Sequence, residues 1–128
     1  MTMSRQEIEA WATAYIQAQQ DPTLLHEGHP LWWAVEKFMM PATDSVTPED
    51  CWAGILEVLA RDPPESVKGI LAAGALEDLI DQHGPEFIER IEAESKRNPA
   101  FQHLLGGVWE SSTPEVWARV EKVQGPHW

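Results

Sequence analysis

Residues 47–59 read TPEDCWAGILEVL, and this stretch shows how a helix of this chain begins. Proline suits the first position of a helix, because its missing N–H would have no partner inside the helix there, and Thr47 before it can cap the next free N–H groups. Glu49 and Asp50 place negative charge in the first turn, where the helix dipole favours it. The apolar residues that follow share one helix face: Trp52, Ile55, Leu56 and Leu59. The stretch therefore predicts a helix with one buried stripe.

The same start signal recurs along the chain. Five further pairs of a small polar residue or glycine with a proline mark helix starts: Asp21-Pro22, Asp62-Pro63, Gly84-Pro85, Asn98-Pro99 and Thr113-Pro114. Ser4 and Glu7 have the spacing of a capping box, which predicts a first helix over about 5–20. No segment shows the sustained two-residue alternation of a strand. We predict one all-α domain over residues 1–128, a compact bundle or short helical-hairpin stack of six to eight short helices.

The helical pattern is interrupted in two places. Residues 31–40 are very apolar, and we predict a short second helix there that Pro41 ends. Residues 64–83 contain Gly74 between two apolar stripes, and a glycine inside a helix costs only about 1 kcal/mol. This segment is compatible with one helix or with two. We favour two helices, with a bend at Gly74 and an end at His83-Gly84.

The charge of the chain is strongly negative and uneven. The formal net charge is −12, and residues 7–60 contain nine acids but one base, Lys37. A field of this sign repels nucleic-acid backbones and anionic lipids and attracts basic surfaces. It argues against direct nucleic-acid and membrane binding and favours a basic protein partner. The alternative interpretation is that the charge keeps a small protein soluble.

The cysteine content and the distribution of apolar residues allow a prediction of the cellular compartment. Cys51 is alone, so no intramolecular disulfide can form and nothing calls for an oxidising environment. No signal peptide is visible, and no segment approaches the roughly 20 apolar residues of a membrane span. We therefore expect a cytoplasmic protein.

The densest polar cluster is formed by Glu77, Asp78, Asp81 and His83. Glu77 and Asp81 are four residues apart and share a helix face, where they could hold a divalent metal or act as an acid–base pair. The simpler interpretation is an exposed face opposite a buried stripe, with His83 near the C-terminal end of the helix dipole. We favour the simpler interpretation.

A second polar cluster, His26-Glu27-Gly28-His29, places two imidazoles three residues apart in a loop. It lacks the histidine spacing of the helical zinc-protease motif. The chain also lacks a nucleophile elbow, a glycine-rich phosphate loop and a dinucleotide fingerprint. We expect no metal site, no cofactor and no catalysis. The alternative is a metal-dependent enzyme that uses Glu77, Asp81 and His83.

Seven tryptophans stand out in 128 residues. Trp11, Trp52 and Trp117 lie on apolar helix faces and are predicted in the core. Trp32 and Trp33 are adjacent, and adjacent helical positions point about 100° apart, so one of the two should be exposed. Trp128, at the end of the sequence, is a second candidate for exposure.

The second half of the chain carries a family resemblance. It rests on Gly74-Ala75-Leu76-Glu77-Asp78-Leu79-Ile80 and on the segments His83-Gly84, Phe87-Ile88, Ile91-Glu92, Asn98-Pro99, Phe101 and Gly107-Val108-Trp109. Over about residues 66–120 it resembles a family of small bacterial proteins described only as a domain of unknown function, with Ala75 where that family tends to have proline. The resemblance implies an all-α fold and a bacterial or phage origin, but no activity. Small acidic helical proteins of this kind are often immunity proteins or inhibitors of defence systems, an analogy at the level of fold.

These features together predict a non-enzymatic acidic protein that binds and inhibits a basic protein partner, such as a nucleic-acid-handling toxin or defence complex. Tryptophan side chains would supply affinity and carboxylates would steer the encounter. The predicted contact residues lie in the acidic first half: Glu27, Trp32, Trp33, Glu36, Asp44, Glu49, Asp50 and Glu57. A second hypothesis is a homodimer that buries residues 31–40 across a two-fold axis.

Overall fold

The computed structural model describes residues 3–39 and 46–128, and every regular element within these ranges is helical. The helices are α1 Arg5–Gln20, α2 Trp32–Glu36, α3 Pro48–Ala60, α4 Glu65–Leu71, α5 Glu77–Arg97, α6 Pro99–Leu105 and α7 Pro114–Val123, with a π-helical segment Ala72–Leu76 between α4 and α5. The prediction of an all-α fold is confirmed. The chain divides into two compact units, Met1–Val67 and Lys68–Trp128. The single domain stays a prediction, and the units are described in turn.

Most helices begin where the capping signals place them. Ser4 and Thr47 each form a capping box with the residue three positions on, at the starts of α1 and α3. Asn98 and Thr113 accept hydrogen bonds from the first free N–H groups of α6 and α7. The first helix ends before Asp21-Pro22, as predicted, but the prediction of a helix start at this pair is wrong. Asp21 ends α1, and its Oδ1 atom accepts hydrogen bonds from both the backbone N–H and the hydroxyl of Thr23, which closes a turn instead.

The first unit is held by aromatic packing. α1 packs against α2 and α3. The Trp11 ring lies 4.2 Å from the Phe38 ring between centroids, and Tyr15 meets Phe38 edge-on at 5.0 Å. The fully buried Trp11 indole also donates a 2.8 Å hydrogen bond from Nε1–H to the carbonyl of Ala34 in α2. One side chain therefore links α1 to α2 through a hydrogen bond and to the turn after α2 through ring contact.

The second helix is shorter than predicted. The sequence predicted a helix over 31–40, whereas α2 covers Trp32–Glu36. After it, the N–H of Phe38 donates to the carbonyl of Val35, and the N–H of Met39 donates to that of Glu36. These bonds span three residues instead of four, so the helix tightens into turns. Residue 40 lies outside the described residues.

The second unit contains a long, twice-interrupted helix. The predicted interruption at Gly74 coincides with the π-helical segment that separates α4 from α5, and a bend of the helix axis there stays a prediction. A second break is at His83, with φ −134° and ψ 22°, where the sequence predicted a helix end. Pro85 has no N–H to continue the ladder there. The helix is therefore kinked at His83, and the predicted start at Gly84-Pro85 follows the kink.

α5 is the centre of the second unit, and α6, α7 and the π-helical segment pack against it. Its buried stripe includes Phe87 and Ile91, which lie in a core with Phe101 of α6 and Val120 of α7. The Ser95 hydroxyl donates to the carbonyl of Val123 at the end of α7. Within the described ranges, none of the helices is both long and apolar enough to cross a bilayer.

Substitution of two glycines by alanine tests the close packing around Gly54 in the first unit. A Cβ atom added at Gly54 would lie 2.8 Å from the Trp11 ring, whereas one added at Gly74 would meet nothing within 4 Å. We expect Gly54→Ala to lower the free energy of unfolding by about 1–3 kcal/mol through overpacking. Gly74→Ala should raise it by up to about 1 kcal/mol through helix propensity. Urea denaturation measures the free energy of unfolding of both variants. An equal rise in this free energy for both would contradict the close approach at Gly54.

Candidate functional site

The eight predicted contact residues belong to the first unit, and the structure describes all of them except Asp44, which lies outside the described residues. They differ sharply in exposure. Four are exposed: Glu27, Trp33, Glu36 and Glu49. Trp32 and Glu57 are half-buried, and Asp50 is buried.

Asp50 must be removed from the predicted contact surface. Its side chain is fully buried, and its two carboxylate oxygens accept hydrogen bonds from the backbone N–H groups of Met3 (2.9 Å) and Thr47 (3.2 Å). A carboxylate in this position satisfies backbone donors that would otherwise be buried without partners. Asp50 therefore has a structural role and cannot contact a partner protein.

Glu57 is also engaged inside the protein. One carboxylate oxygen lies 2.7 Å from Arg5 Nη2 and the other lies 3.4 Å from Arg61 Nε, and only 11% of the side chain is exposed. The two arginines offset the charge of Glu57. Glu57 can therefore contribute little to a field that attracts a cationic partner.

The remaining predicted residues concentrate around α2. Trp33 and Glu36 are three positions apart on this helix, so their side chains lie on the same side, and both are exposed. Trp33 has 42% of its surface exposed, whereas Trp32 is half-buried. The prediction that one of the paired tryptophans is exposed is confirmed. We call Glu27, Trp32, Trp33 and Glu36 the 27–36 face.

A pocket of about 260 Å³ adjoins this face. Its lining comes from the loop before α2 and from the first residue of that helix: Leu24, Leu25, His26, Glu27, Gly28, His29 and Trp32. Glu27 and Trp32, predicted from sequence as contact residues, thus line one cavity. Leu25 is 86% exposed, the most exposed large apolar side chain among the described residues.

His29 supports the pocket wall through hydrogen bonds. Its Nδ1 atom accepts from the backbone N–H of Leu31 at 3.1 Å, so the hydrogen is placed on Nε2, which lies 2.9 Å from Asp21 Oδ2. Hydrogen bonds from the Thr23 hydroxyl and then from His29 lower the pKa of Asp21 to about 2. Because both ring nitrogens are engaged, His29 is poorly placed to act as a general base or as a metal ligand with His26.

The acidic cluster on α5 anchors a loop. Glu77 Oε1 accepts a hydrogen bond from the backbone N–H of Trp109 at 3.1 Å, and Asp81 Oδ1 accepts one from Ser112 at 3.3 Å. Burial raises the pKa of Asp78 between them, and the charges of Glu77 and Asp81 add to the rise. These carboxylates hold the segment between α6 and α7 against α5.

Metal chemistry gains no support from this cluster. The ring of His83 is directed to Glu86, with Nδ1 3.2 Å from Oε1. Across the parts of the chain that the structure describes, no three His, Cys, Asp or Glu side chains are placed to hold a metal ion. The alternative of a metal-dependent enzyme built on Glu77, Asp81 and His83 stays a prediction.

Sequence reasoning missed Trp109, which is 66% exposed in the second unit. Its ring meets the edge of His127 at 5.2 Å between centroids. Trp109 belongs to no helical stripe and comes just after Gly106-Gly107-Val108. This position outside the periodic apolar pattern was the sequence feature that could have predicted its exposure.

The last residues of the chain dock onto α6. The predicted exposure of Trp128 is confirmed at 42%, yet the residue is firmly held. Its indole N–H donates to the carbonyl of His103 at 2.6 Å, and the two rings stack at 4.7 Å. A Cβ atom added at Gly107 would lie 2.9 Å from the Trp128 ring, so glycine permits this close approach.

A prediction follows for Asp50. Replacing it with alanine removes the acceptor of two backbone N–H groups, and we expect a loss of about 2–3 kcal/mol in the free energy of unfolding. Glu49→Gln, an exposed change in the same helical turn, should cost less than about 1 kcal/mol. Chemical denaturation separates the two. Equal stability of Asp50→Ala and the wild-type chain would contradict the structural role.

A second prediction concerns the pH dependence of stability at Asp78. A carboxyl group with a raised pKa in the folded state destabilises the fold above that pKa, where it is ionised in both states, and has no such effect below its ordinary unfolded pKa. Asp78→Asn should therefore raise the melting temperature at pH 7, and the gain should vanish below about pH 4. The control is Glu121→Gln, an exposed change on α7 that should move the melting temperature little at either pH. A gain that persists at low pH would refute the electrostatic cause.

Comparison with known proteins places the chain in a family. No curated protein and no solved structure matches it. The model of a family of unknown function, DUF6869, matches residues 8–127, a longer region than the resemblance over about 66–120 predicted. The prediction of a domain-of-unknown-function family is confirmed, although the individual segments quoted for it stay untested. The chain thus belongs to the family of unknown function DUF6869.

Proposed function

We propose that this protein acts by binding a basic protein partner and that its role is not catalytic. The observation that carries the proposal is the 27–36 face, where exposed Trp33 lies beside exposed Glu36 on α2 and where Glu27 and Trp32 line one pocket. Exposed tryptophans are the side chains that most often supply binding energy at protein interfaces. Carboxylates around them attract a cationic surface and raise its association rate.

The charge balance of the whole chain supports the same partner chemistry. The net charge of −12 favours encounters with basic proteins over nucleic acids or anionic membranes. Glu49, exposed in the first turn of α3, adds a carboxylate to the same unit. Asp50 and Glu57 leave the proposed surface for the reasons given above. The proposed contact residues are therefore Glu27, Trp32, Trp33, Glu36 and Glu49.

We further propose that the partner handles nucleic acid and that binding covers its basic surface. A strongly basic patch is the electrostatic mark of nucleic-acid-binding proteins. An acidic protein that covers such a patch competes with the phosphate backbone. In this proposal the protein is an inhibitor or immunity protein of a nucleic-acid-handling partner.

Self-association is a second candidate. Met39 is 48% exposed and Trp33 is 42% exposed, and both belong to residues 31–40, which a second copy of the chain could bury. Two copies would, however, bring like charges together at Glu36, which disfavours this pairing. Size-exclusion chromatography with light scattering distinguishes the two, because a monomer at micromolar concentration leaves only the binding of another protein.

Charge reversal tests the proposed surface. We expect the variant Glu27→Lys, Glu36→Lys, Glu49→Lys to lose its partner, with an association rate reduced at least roughly tenfold, because electrostatic steering contributes factors of this size. The partner is isolated with the wild-type chain by affinity capture from the native host and identified by mass spectrometry. Association is then measured by surface plasmon resonance at low and at moderate salt.

The matched control carries the same charge change elsewhere. Glu110→Lys, Glu115→Lys, Glu121→Lys reverses three exposed carboxylates of the second unit and alters the net charge equally. It should keep most of the binding. If both variants lost partner binding equally, the loss would be due to net charge alone, and the 27–36 face would have to be removed from the proposal. Binding that does not depend on salt would remove the electrostatic argument.

A further inference from the structure

The pocket beside the 27–36 face has the size of one amino-acid side chain. Its volume is about 260 Å³, below the range of about 300–1,000 Å³ that small-molecule and cofactor sites occupy. It is partly open to the surface, and Leu25 in its lining is exposed. A side chain projecting from a bound protein can therefore enter it, whereas a cofactor is too large.

The lining combines apolar walls with one carboxylate. Leu24, Leu25 and Trp32 supply apolar surface, and Glu27 is the acid among the lining residues. Glu27 is exposed and forms no ion pair with the described residues. This composition suits an occupant with an apolar body and a cationic end, and it does not suit an anion.

The hydrogen bonds of His29 in the lining are compatible with a bound cation. His29 accepts a hydrogen bond at Nδ1 and is directed through Nε2 to Asp21, so its ring is the neutral tautomer in this arrangement. His26 is exposed, and Glu27 is the one acidic side chain among the lining residues.

We infer that this pocket receives an arginine side chain of the basic partner, with the guanidinium paired to Glu27 and its methylene stem and planar head packed against Trp32. The inference rests on the proposed function and names the group that the surface recognises. Arginine fits better than lysine, because guanidinium is planar, stacks on aromatic rings and loses its hydration more readily than an ammonium group. It can also form two parallel hydrogen bonds with one carboxylate.

A titration of the full-length chain with small probes tests the pocket alone. The probe is Nα-acetyl-arginine amide, and its matched control is Nα-acetyl-citrulline amide, which has nearly the same shape without the charge. Two-dimensional ¹H–¹⁵N spectra at pH 8 follow the indole N–H signals, and the Trp32→Phe variant identifies that of Trp32. We expect the arginine probe to shift the Trp32 signal with a Kd of about 1 mM, and the citrulline probe to bind roughly tenfold more weakly.

Two conservative variants test whether the carboxylate of Glu27 binds the charged group of the probe. Glu27→Gln should weaken the arginine probe roughly tenfold, equivalent to about 1.4 kcal/mol, whereas Glu36→Gln, on α2 outside the lining, should leave its Kd within about twofold. Equal binding of arginine and citrulline, tighter binding of Nα-acetyl-lysine amide, or no effect of Glu27→Gln would overturn the assignment. Shifts confined to the indoles of Trp109 and Trp128 would also overturn it, because they report the second unit.

The result is separable from the proposed function. If the captured partner still binds the wild-type chain with salt sensitivity while the arginine probe shifts nothing, the pocket assignment fails and the binding proposal stands. If the probe binds through Glu27 but the variant Glu27→Lys, Glu36→Lys, Glu49→Lys still binds the partner, the pocket binds guanidinium and the proposed docking surface is wrong.

Discussion

The packing of the Trp11 indole is the constraint on which the first unit depends. The ring is fully buried, contacts Phe38 and comes close enough to α3 to require glycine at position 54, while its N–H holds the carbonyl of Ala34. α2 has only five residues and cannot be stable on its own, since isolated helices of that length do not persist in water. The exposed Trp33 therefore owes its position to a buried side chain on another helix.

The carboxylates of this chain divide between those that fold it and those that face solvent. Asp50, Glu77 and Asp81 accept hydrogen bonds from backbone N–H groups, and Glu57 is shared by two arginines. Formal charge counts all of them equally. The field at a given surface, however, depends on which carboxylates remain without a nearby donor or cation. Around α2 this leaves a smaller acidic surface than the composition suggested, and a better defined one.

The helix starts could be predicted because capping is local. At Ser4, Thr47, Asn98 and Thr113 the cap and the N–H groups that it satisfies lie within three residues. Asp21 failed as a start because the same kind of side chain can close a turn with equally local bonds.

The exposure of individual side chains could be predicted less well, because it depends on contacts across long stretches of chain. The burial of Asp50 requires a backbone N–H that is 47 positions away, and the loop that carries Trp109 is held by a carboxylate 32 positions away. Neither of these long-range hydrogen bonds can be predicted from the spacing of residues nearby in the sequence. The paired tryptophans of α2 were an exception, since helix geometry alone separates Trp32 from Trp33.

The π-helical segment Ala72–Leu76 determines how the helical residues after it are rotated about the helix axis relative to those before it. A π turn accommodates one more residue than an α turn, so removal of a single residue there would restore a regular helix. The downstream part of α5 would then rotate by about 100° about its axis. Glu77, Asp81 and the loop that they hold all follow this point, so their hydrogen bonds would be carried along together. The contacts at risk are those between residues before and after the segment, such as the approach of Gly69 to the Trp128 ring. The number of residues in this segment is therefore constrained by packing, although its side chains carry no hydrogen-bonding groups.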